Sequence, residues 1–403
     1  MGVTLIRYWG REVRSVSEIK TFAELFTRSV NLGWRTYLVC SQPPQDENYL
    51  APLTDIGVQV EYIARPRQNF DGETIRRTYE LCSRVKADIL HCDNMHTSPL
   101  IGAFLARVPV RIWFKRSMQP AFEDNRIPTW RDRLALSVRV TCGLATTVAT
   151  VSRAVKDELV ALGIPEAKVC VVRNAIDRGV IQRVDRDHAR AELGYTTSDI
   201  VIMALGRAAP VKGWDVLLSA FVEIVAELPN ARLLFVGGTF RDDEKQMFSK
   251  LAEVVASRGL TQYIRFAGHW ENVDSALAAA DIFVMPSRSE GNANALNEAF
   301  AAGKACIATR VGNASELITQ GVNGLLVERD NPREMAEALR SLAGDSALRA
   351  SIELGARETP VGPTKAENFD QIYALYQALL RARRGERDDW QRLHAQLSRG
   401  REL

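Results

Sequence analysis

The chain has 403 residues, 46% of them hydrophobic and 25% charged, and its 52 Lys plus Arg nearly cancel 49 Asp plus Glu. The composition is that of a soluble globular chain and excludes a disordered one; at about 150 residues per domain, the length predicts two large domains. A formal net charge of +3 excludes a chain-wide electrostatic grip on nucleic acid or anionic lipid, although a local basic patch stays open.

In chain order, short apolar runs rich in β-branched residues predict strands at 3–8, 36–40, 58–63, 88–92, 110–114, 146–151 and 169–172. Amphipathic helices are expected between them. One runs over 17–32, with Ile19, Phe22, Ala23, Phe26 and Val30 on one face and Gly33 as its stop; others run over 71–86 and 152–162, the last capped by Ser152. A polar stretch over 178–188 interrupts the pattern, which then restarts. Strands are predicted at 200–205, 232–236, 264–267, 282–285, 305–309 and 325–327, with helices over 214–227, 243–258, 273–280 and 332–342. A last helix is expected over 365–382, followed by a charged, frayed tail to Leu403. Strands without polar alternation, spaced by helices, predict parallel sheets covered on both faces, so the fold class is α/β with two doubly wound Rossmann-like domains joined near residue 180.

The six cysteines stand singly, with no C-x-x-C pair, and read as small buried side chains in a reducing compartment. Arg7, Arg11 and Arg14 interrupt what would be the apolar part of a secretion signal, and no run nears the roughly 20 apolar residues that span a bilayer. The expected location is the cytoplasm, with a peripheral contact at the inner face of the plasma membrane left open.

Ligands of doubly wound domains lie at the carboxyl ends of the strands. There stands first Gly206-Arg207-Ala208-Ala209-Pro210-Val211-Lys212-Gly213, in which a glycine admits an anion to the backbone beside a forked and a point-like cation. Neither a P-loop nor G-x-G-x-x-G is present, which removes support for a P-loop nucleotidase or a simple dinucleotide dehydrogenase. Taken alone, Arg207 and Lys212 also fit solvated surface charges. The second group runs from Pro286 to Glu298, where a helix is expected to open around Gly291 with free N–H groups suited to phosphate. Glu290 would precede it and Glu298 would lie about two turns in; eight helical residues rise about 12 Å, too far for a glycosidase carboxylate pair set about 5 to 10 Å apart. The spacing favours two carboxylates gripping different hydroxyls of one long ligand, unless each is only a dipole partner or a solvent-facing glutamate.

The stretch Glu290-Gly291-x-x-Asn294-x-x-x-Glu298-Ala299-x-Ala301-x-Gly303 resembles the E-x(7)-E signature of retaining GT-B glycosyltransferases of family 4. Val151-Ser152, the run from Lys168 to Asp177, Gly206-Arg207 with Lys212-Gly213, Phe235 to Gly238, Phe266 to Gly268, Gly312 with Glu316 to Ile318, and Gly321 to Val327 match the same family in order, over about residues 145–330. The resemblance implies a GT-B fold, two Rossmann-like domains facing a central cleft. An acceptor-binding domain would span 1–177, with a helix at about 365–385 packing back on it, and a donor-binding domain 178–364, leaving 386–403 as a charged tail. Closure would be hinged near 178 and 363.

It also implies residue roles. Arg207 and Lys212 would neutralise the donor diphosphate, Glu290 would take hydroxyls of the transferred sugar and Glu298 those of the ribose. Gly206, Gly291, Asn292, Ala293 and Asn294 would line the donor, with the N–H groups of residues 291–293 on sugar or phosphate, and His269 or Trp270 near the base. No metal and no cofactor are implied: the donor is a UDP-, GDP- or ADP-linked sugar, and the leaving phosphate takes the acceptor proton on the face it departs from.

The departures lie in the first half. One glycine, Gly10, stands where many relatives carry a pair, and Lys115-Arg116 stand where many carry a histidine. Those cations would meet the leaving phosphate or an anionic acceptor, or form a plain surface pair. His96 is the better acceptor contact and His91 is expected to be packed. Arg7, Arg11, Arg14, Arg65 and Arg67 would face a lipid-linked pyrophosphate, a membrane surface or solvent. The expected function is transfer of a sugar, with retention, to a glycan or lipid-linked acceptor in bacterial cell-surface polysaccharide or lipopolysaccharide synthesis, with no nucleic-acid partner. A sugar phosphorylase or nucleotide-sugar epimerase on the same scaffold is the alternative.

Overall fold

Apolar runs that lack polar alternation satisfy themselves by building sheets with helices on both faces. The computed structural model describes residues 2–13, 16–44, 46–93, 97–118, 133–176, 184–239, 241–270 and 272–398. The chain divides into two compact units, Met1–Arg173 with Ala366–Leu403, and Asn174–Lys365.

The N-terminal unit holds a parallel sheet of seven described strands, β1 (Thr4–Tyr8), β2 (Arg35–Cys40), β3 (Gln59–Tyr62), β4 (Ile89–Asp93), β5 (Val110–Lys115), β6 (Thr147–Thr150) and β7 (Val169–Val171). Their order is β3-β2-β1-β4-β5-β6-β7, so the winding reverses between β1 and β4, where Leu5 is level with Ile89. Every residue of β1 and β4 is buried, which is why neither alternates. One face is covered by Ile19, Phe22 and Phe26 of the helix Val16–Asn31 and by Phe369, Ile372 and Tyr376 of the helix Lys365–Arg383. Ser152 caps the helix Arg153–Ala161 as expected, accepting the Val155 N–H at 3.3 Å. All six cysteines are free and buried.

The second unit repeats the plan with β8 (Ile200–Leu205), β9 (Ala231–Val236), β10 (Ile264–Gly268), β11 (Ile282–Met285), β12 (Ala305–Thr309) and β13 (Leu325–Val327). These parallel strands run β10-β9-β8-β11-β12-β13, and the reversal falls between β8 and β11. Trp214, Leu217 and Phe221 of the helix Trp214–Ile224 pack one face, and Leu296 and Phe300 of the helix Asn294–Ala301 the other.

Three expectations are corrected. The tail is not frayed throughout: Asp388–Ser398 is a helix whose Leu393 and Leu397 enter the core of the N-terminal unit, with His394 Nε2 3.0 Å from the Val169 carbonyl. The polar stretch after residue 178 ends in the helix Arg186–Glu192, capped by Asp185. Arg7 is not a surface cation. It is 2% exposed, with Nε 2.6 Å from Asp93 Oδ2 and Nη1 3.0 Å from His91 Nδ1, which also lies 2.7 Å from the Tyr376 hydroxyl.

Burial raises the Asp93 carboxyl, but Arg7 and Arg116 outweigh it and hold the group well below the usual carboxylate range. His91, packed as expected and stacked on Phe114 at 5.4 Å, is kept neutral by burial and then by Arg7. Removing one charge from a buried pair strands the other, so Asp93→Asn is expected to cost about 3–5 kcal/mol of unfolding free energy, measured with denaturant at neutral pH. A depressed acid contributes fully above its unfolded pKa of about 3.9 and loses that contribution as the pH falls through and below it, so the gap between wild type and variant narrows in acid.

Candidate functional site

In an α/β sheet the crevice opens where neighbouring strands send their connections to opposite faces. In the second unit those neighbours are β8 and β11, and their loops carry the two groups singled out in the sequence. Gly206 follows β8, its N–H donating to the Val236 carbonyl at 2.9 Å. The chain then makes a short 3-10 turn, Pro210–Lys212, which ends on Gly213 at φ +63°. A Cβ on Gly213 would stand 2.0 Å from the Pro286 carbonyl oxygen, so only glycine lets this loop touch the one after β11.

The contact brings Lys212 Nζ to 2.6 Å from Glu290 Oε1, which also accepts from the buried Ser287 hydroxyl at 2.8 Å. Gly312, at φ +56°, backs Glu290: a Cβ there would sit 2.7 Å from the Glu290 carbonyl oxygen and 2.8 Å from its Cβ. Arg288 pins the same two loops. Its N–H donates to the Val211 carbonyl at 2.8 Å, and its guanidinium spans Asp215, at 2.7 and 3.0 Å, and Asp330, at 2.6 Å. Arg207 pairs with Glu244.

The helix expected around Gly291 starts later, at Asn294, so Glu298 is its fifth residue and lies little more than one turn in. The 12 Å helical rise between Glu290 and Glu298 therefore does not apply, because residues 290–293 are not helical. The Ala293 N–H, expected to face a ligand, is spent on Asn313 Oδ1 at 2.7 Å. That bond fixes the Asn313 amide, whose nitrogen donates to Asn297 at 2.8 Å. Asn292, half-buried, donates to Asn294 Oδ1 at 2.8 Å, and Asn294 is exposed. Gly291 is buried, and His269 is exposed in the bend after β10, beside half-buried Trp270. Glu298 is half-buried, and its pKa is raised by burial and then by Asp274.

The remaining expected contacts are in the N-terminal unit. Gly10 is buried after β1, its N–H donating to the Val39 carbonyl at 3.0 Å. His96 lies outside the described residues, as does Arg14. Lys115 is 1% exposed, 3.3 Å from Glu158 Oε1 and donating to the Ser117 carbonyl, which corrects its reading as a cation offered to a phosphate. Arg116 is partly exposed, 2.8 Å from Asp93 and 4.5 Å over the Phe114 ring. No role was anticipated for Ser287, Glu244 or Asn313, although Ser287 stands in the group that runs from Pro286 to Glu298. Glu244 carries a local signal, an acid at the third helical position where a capping box places one.

Among the described residues there is no group of three or more His, Cys, Asp or Glu side chains placed to hold a metal ion, and no helix long and apolar enough to cross a membrane. Residues 199–345 match the model described as glycosyl transferases group 1, and residues 20–179 that of glycosyltransferase family 4, together roughly three quarters of the chain. D-inositol 3-phosphate glycosyltransferase 1 of Catenulispora acidiphila is 30% identical over 57% of this chain and 56% of its own. The chain thus spans about half the length of the first curated relatives it matches. Lipopolysaccharide core biosynthesis glycosyltransferase LpsE of Rhizobium meliloti is 29% identical over 80% of this chain and 91% of its own. Among solved structures, Anabaena Alr3699/HepE in complex with UDP is similar at a TM-score of 0.74 and 18% identity, over 93% of this chain and 99% of that one.

A raised glutamate pKa has a stability consequence of definite sign. The folded chain binds the Glu298 proton more tightly than the unfolded chain, so above the raised pKa the ionised group costs stability, and wild type regains it as the pH falls. Glu298→Gln is expected to raise the calorimetric unfolding midpoint by roughly 1–3 °C at neutral pH, with the gain shrinking in acid.

Proposed function

The chain belongs to the family 4, group 1 glycosyltransferases, and on that premise we propose that it transfers a sugar, with retention, from a nucleotide-diphosphate sugar to a glycan or lipid-linked acceptor. The observation that carries this reading is the meeting of Lys212 and Glu290 at the reversal of the second sheet, with Arg207 in the same loop as Lys212. Transfer breaks the bond between the anomeric carbon and the diphosphate oxygen, and negative charge grows on the leaving group. Fixed cations at that point stabilise the transition state more than the ground state.

Lys212 is neutralised by Glu290. An incoming diphosphate takes over Lys212, and Glu290, still held by Ser287, is released to accept from a sugar hydroxyl. Glu298 takes the ribose hydroxyls, with Gly206, Gly291, Asn292 and Asn294 around the donor and His269 near the base. The acceptor hydroxyl attacks on the face from which the diphosphate leaves, and a leaving-group oxygen takes its proton, so no protein nucleophile is consumed. Positive charge comes from Arg207 and Lys212 and not from a metal ion. We assign the acceptor to the N-terminal unit, with Gly10, His96 and Arg116 as contacts, and the reaction to the cytoplasm, with a peripheral membrane contact where the acceptor is lipid-linked. The likeness to LpsE over most of both chains supports an acceptor in lipopolysaccharide or related glycan synthesis.

UDP-, GDP- and ADP-sugars are to be compared by thermal shift, where the matching donor alone should raise the midpoint strongly, as saturation at about 100 times Kd stabilises by about 2.7 kcal/mol. With that donor, Lys212→Ala and Glu290→Gln should each lower kcat by roughly 100-fold or more while leaving unfolding intact. Wild-type turnover in both would remove the pair from the reaction.

A further inference from the structure

Glu244 is the third residue of the helix Asp242–Ser257, which follows β9, and it is fully buried. One carboxylate oxygen pairs with Arg207 Nη1 and the other accepts the Arg241 N–H at 3.3 Å. A carboxylate beside a site for a diphosphate works against the ligand by simple Coulomb repulsion, and burying it costs further free energy. Its place in the first turn of a 16-residue helix offsets part of that cost, because the free N–H groups and the positive end of the helix favour the ionised form. Arg207 keeps 42% of its side chain exposed, so the guanidinium is tethered by one edge while its other donors face outward.

We propose that Glu244 is a positioning residue for the donor diphosphate, acting only through Arg207 by holding its guanidinium in the direction from which a phosphate oxygen is met. The proposal rests on the reading of Arg207 and Lys212 as the diphosphate site. Unlike Glu290, which is 12% exposed beside Lys212, Glu244 is sealed from solvent and keeps its cation when a ligand arrives. The arrangement spends a negative charge to fix an arginine that would otherwise sample many rotamers, and ordering a long side chain in advance lowers the entropy lost on binding.

The sign of one measurement separates this from a purely electrostatic or purely structural role. Glu244→Gln removes the charge and keeps the shape, and glutamine is itself accepted at this capping-box position, so the helix start survives. With an NH2 donor in place of one oxygen it cannot accept at both of the positions where the carboxylate meets Arg207 and the Arg241 N–H, and the charge that holds the guanidinium is gone. If Glu244 only repelled the ligand, E244Q would bind it more tightly; if Glu244 positions Arg207, E244Q binds it more weakly. Binding of UDP, GDP and ADP is to be titrated by calorimetry on the full chain, taking the tightest of the three.

Its Kd is expected to rise about 10-fold in E244Q and at least as much in Arg207→Ala. The E244Q/R207A double variant should stay within about twofold of R207A, since the second change has nothing left to release. Glu244→Met, which fills the volume with no polar head, should behave as E244Q. Unchanged or tighter binding in E244Q and E244M, or losses that multiply in the double variant, overturns the proposal. Wild-type binding in R207A, or no binding of any of the three nucleotides, overturns instead the diphosphate site on which it rests.

Discussion

Two opposite charges 2.6 Å apart, Lys212 Nζ and Glu290 Oε1, join the loops that leave the second sheet where its strand order reverses. Much of the surrounding geometry follows from that contact. For the side chains to meet, the loop after β8 has to touch the loop after β11, and Gly213 against the Pro286 carbonyl is what permits the approach. Gly312 brings the segment after β12 against Glu290 in the same way. Arg288 then staples the loops through Val211, Asp215 and Asp330, and the Ser287 hydroxyl donates to the carboxylate. A polar pair between flexible loops would be worth little. Here backbone contact holds the loops, so the pair inherits its geometry instead of having to enforce it.

The N-terminal unit has the same reversal, between β1 and β4, and uses it differently. Arg7, Asp93, His91 and Tyr376 fill the position with a buried network, and Arg116 reaches it from the end of β5. The charges are as close as those in the second unit, but with Arg7 and Asp93 sealed they serve packing, and they tie the C-terminal helix to the sheet through Tyr376. Topology therefore marks where a site can form, while burial decides whether the polar residues there are free to act.

The strands were legible in the sequence because burial on both faces makes them continuous apolar runs, and β8, β11, β12 and β13 fall on the residues expected. The elements that escaped notice lack that signature. Asp388–Ser398 places only Leu393 and Leu397 in the core amid charged residues, and Arg186–Glu192 is a short helix with few apolar side chains. The late start of the helix at Asn294 was hidden because spacing does not report backbone angles: Ala293 is the N-cap, outside the helical region at φ −77° and ψ 82°, with its N–H bonded to Asn313. Lys115 misled for a related reason. Its neighbours in sequence say nothing of Glu158, 43 residues on, which neutralises it. Motif spacing thus located Lys212 and Glu290, with Ser287 in the same group, whereas the partners Glu244 and Asn313 come from elsewhere in the fold.

Four of the site's charged groups, Arg207, Lys212, Glu244 and Glu290, cancel formally, which a reading of the cations alone would not suggest. On the proposed reading a diphosphate is therefore not drawn to an excess of positive charge, and it reaches Lys212 by displacing a carboxylate. Exposure tells which one. Glu244 is fully buried beside a half-exposed Arg207 and has no solvent to move into, whereas Glu290 and Lys212 are 12% and 25% exposed and can each find water or a ligand when they part. Separating a partly hydrated pair costs little, while taking the cation away from a fully buried carboxylate strands its charge. On the proposed reading the site divides its work: the Arg207–Glu244 pair would set direction and persist, and the Lys212–Glu290 pair would exchange, giving the cation to a phosphate and the carboxylate to a hydroxyl in one event. Such an exchange selects for a ligand that supplies both partners together, as a sugar joined to a diphosphate does and as phosphate or sugar alone does not.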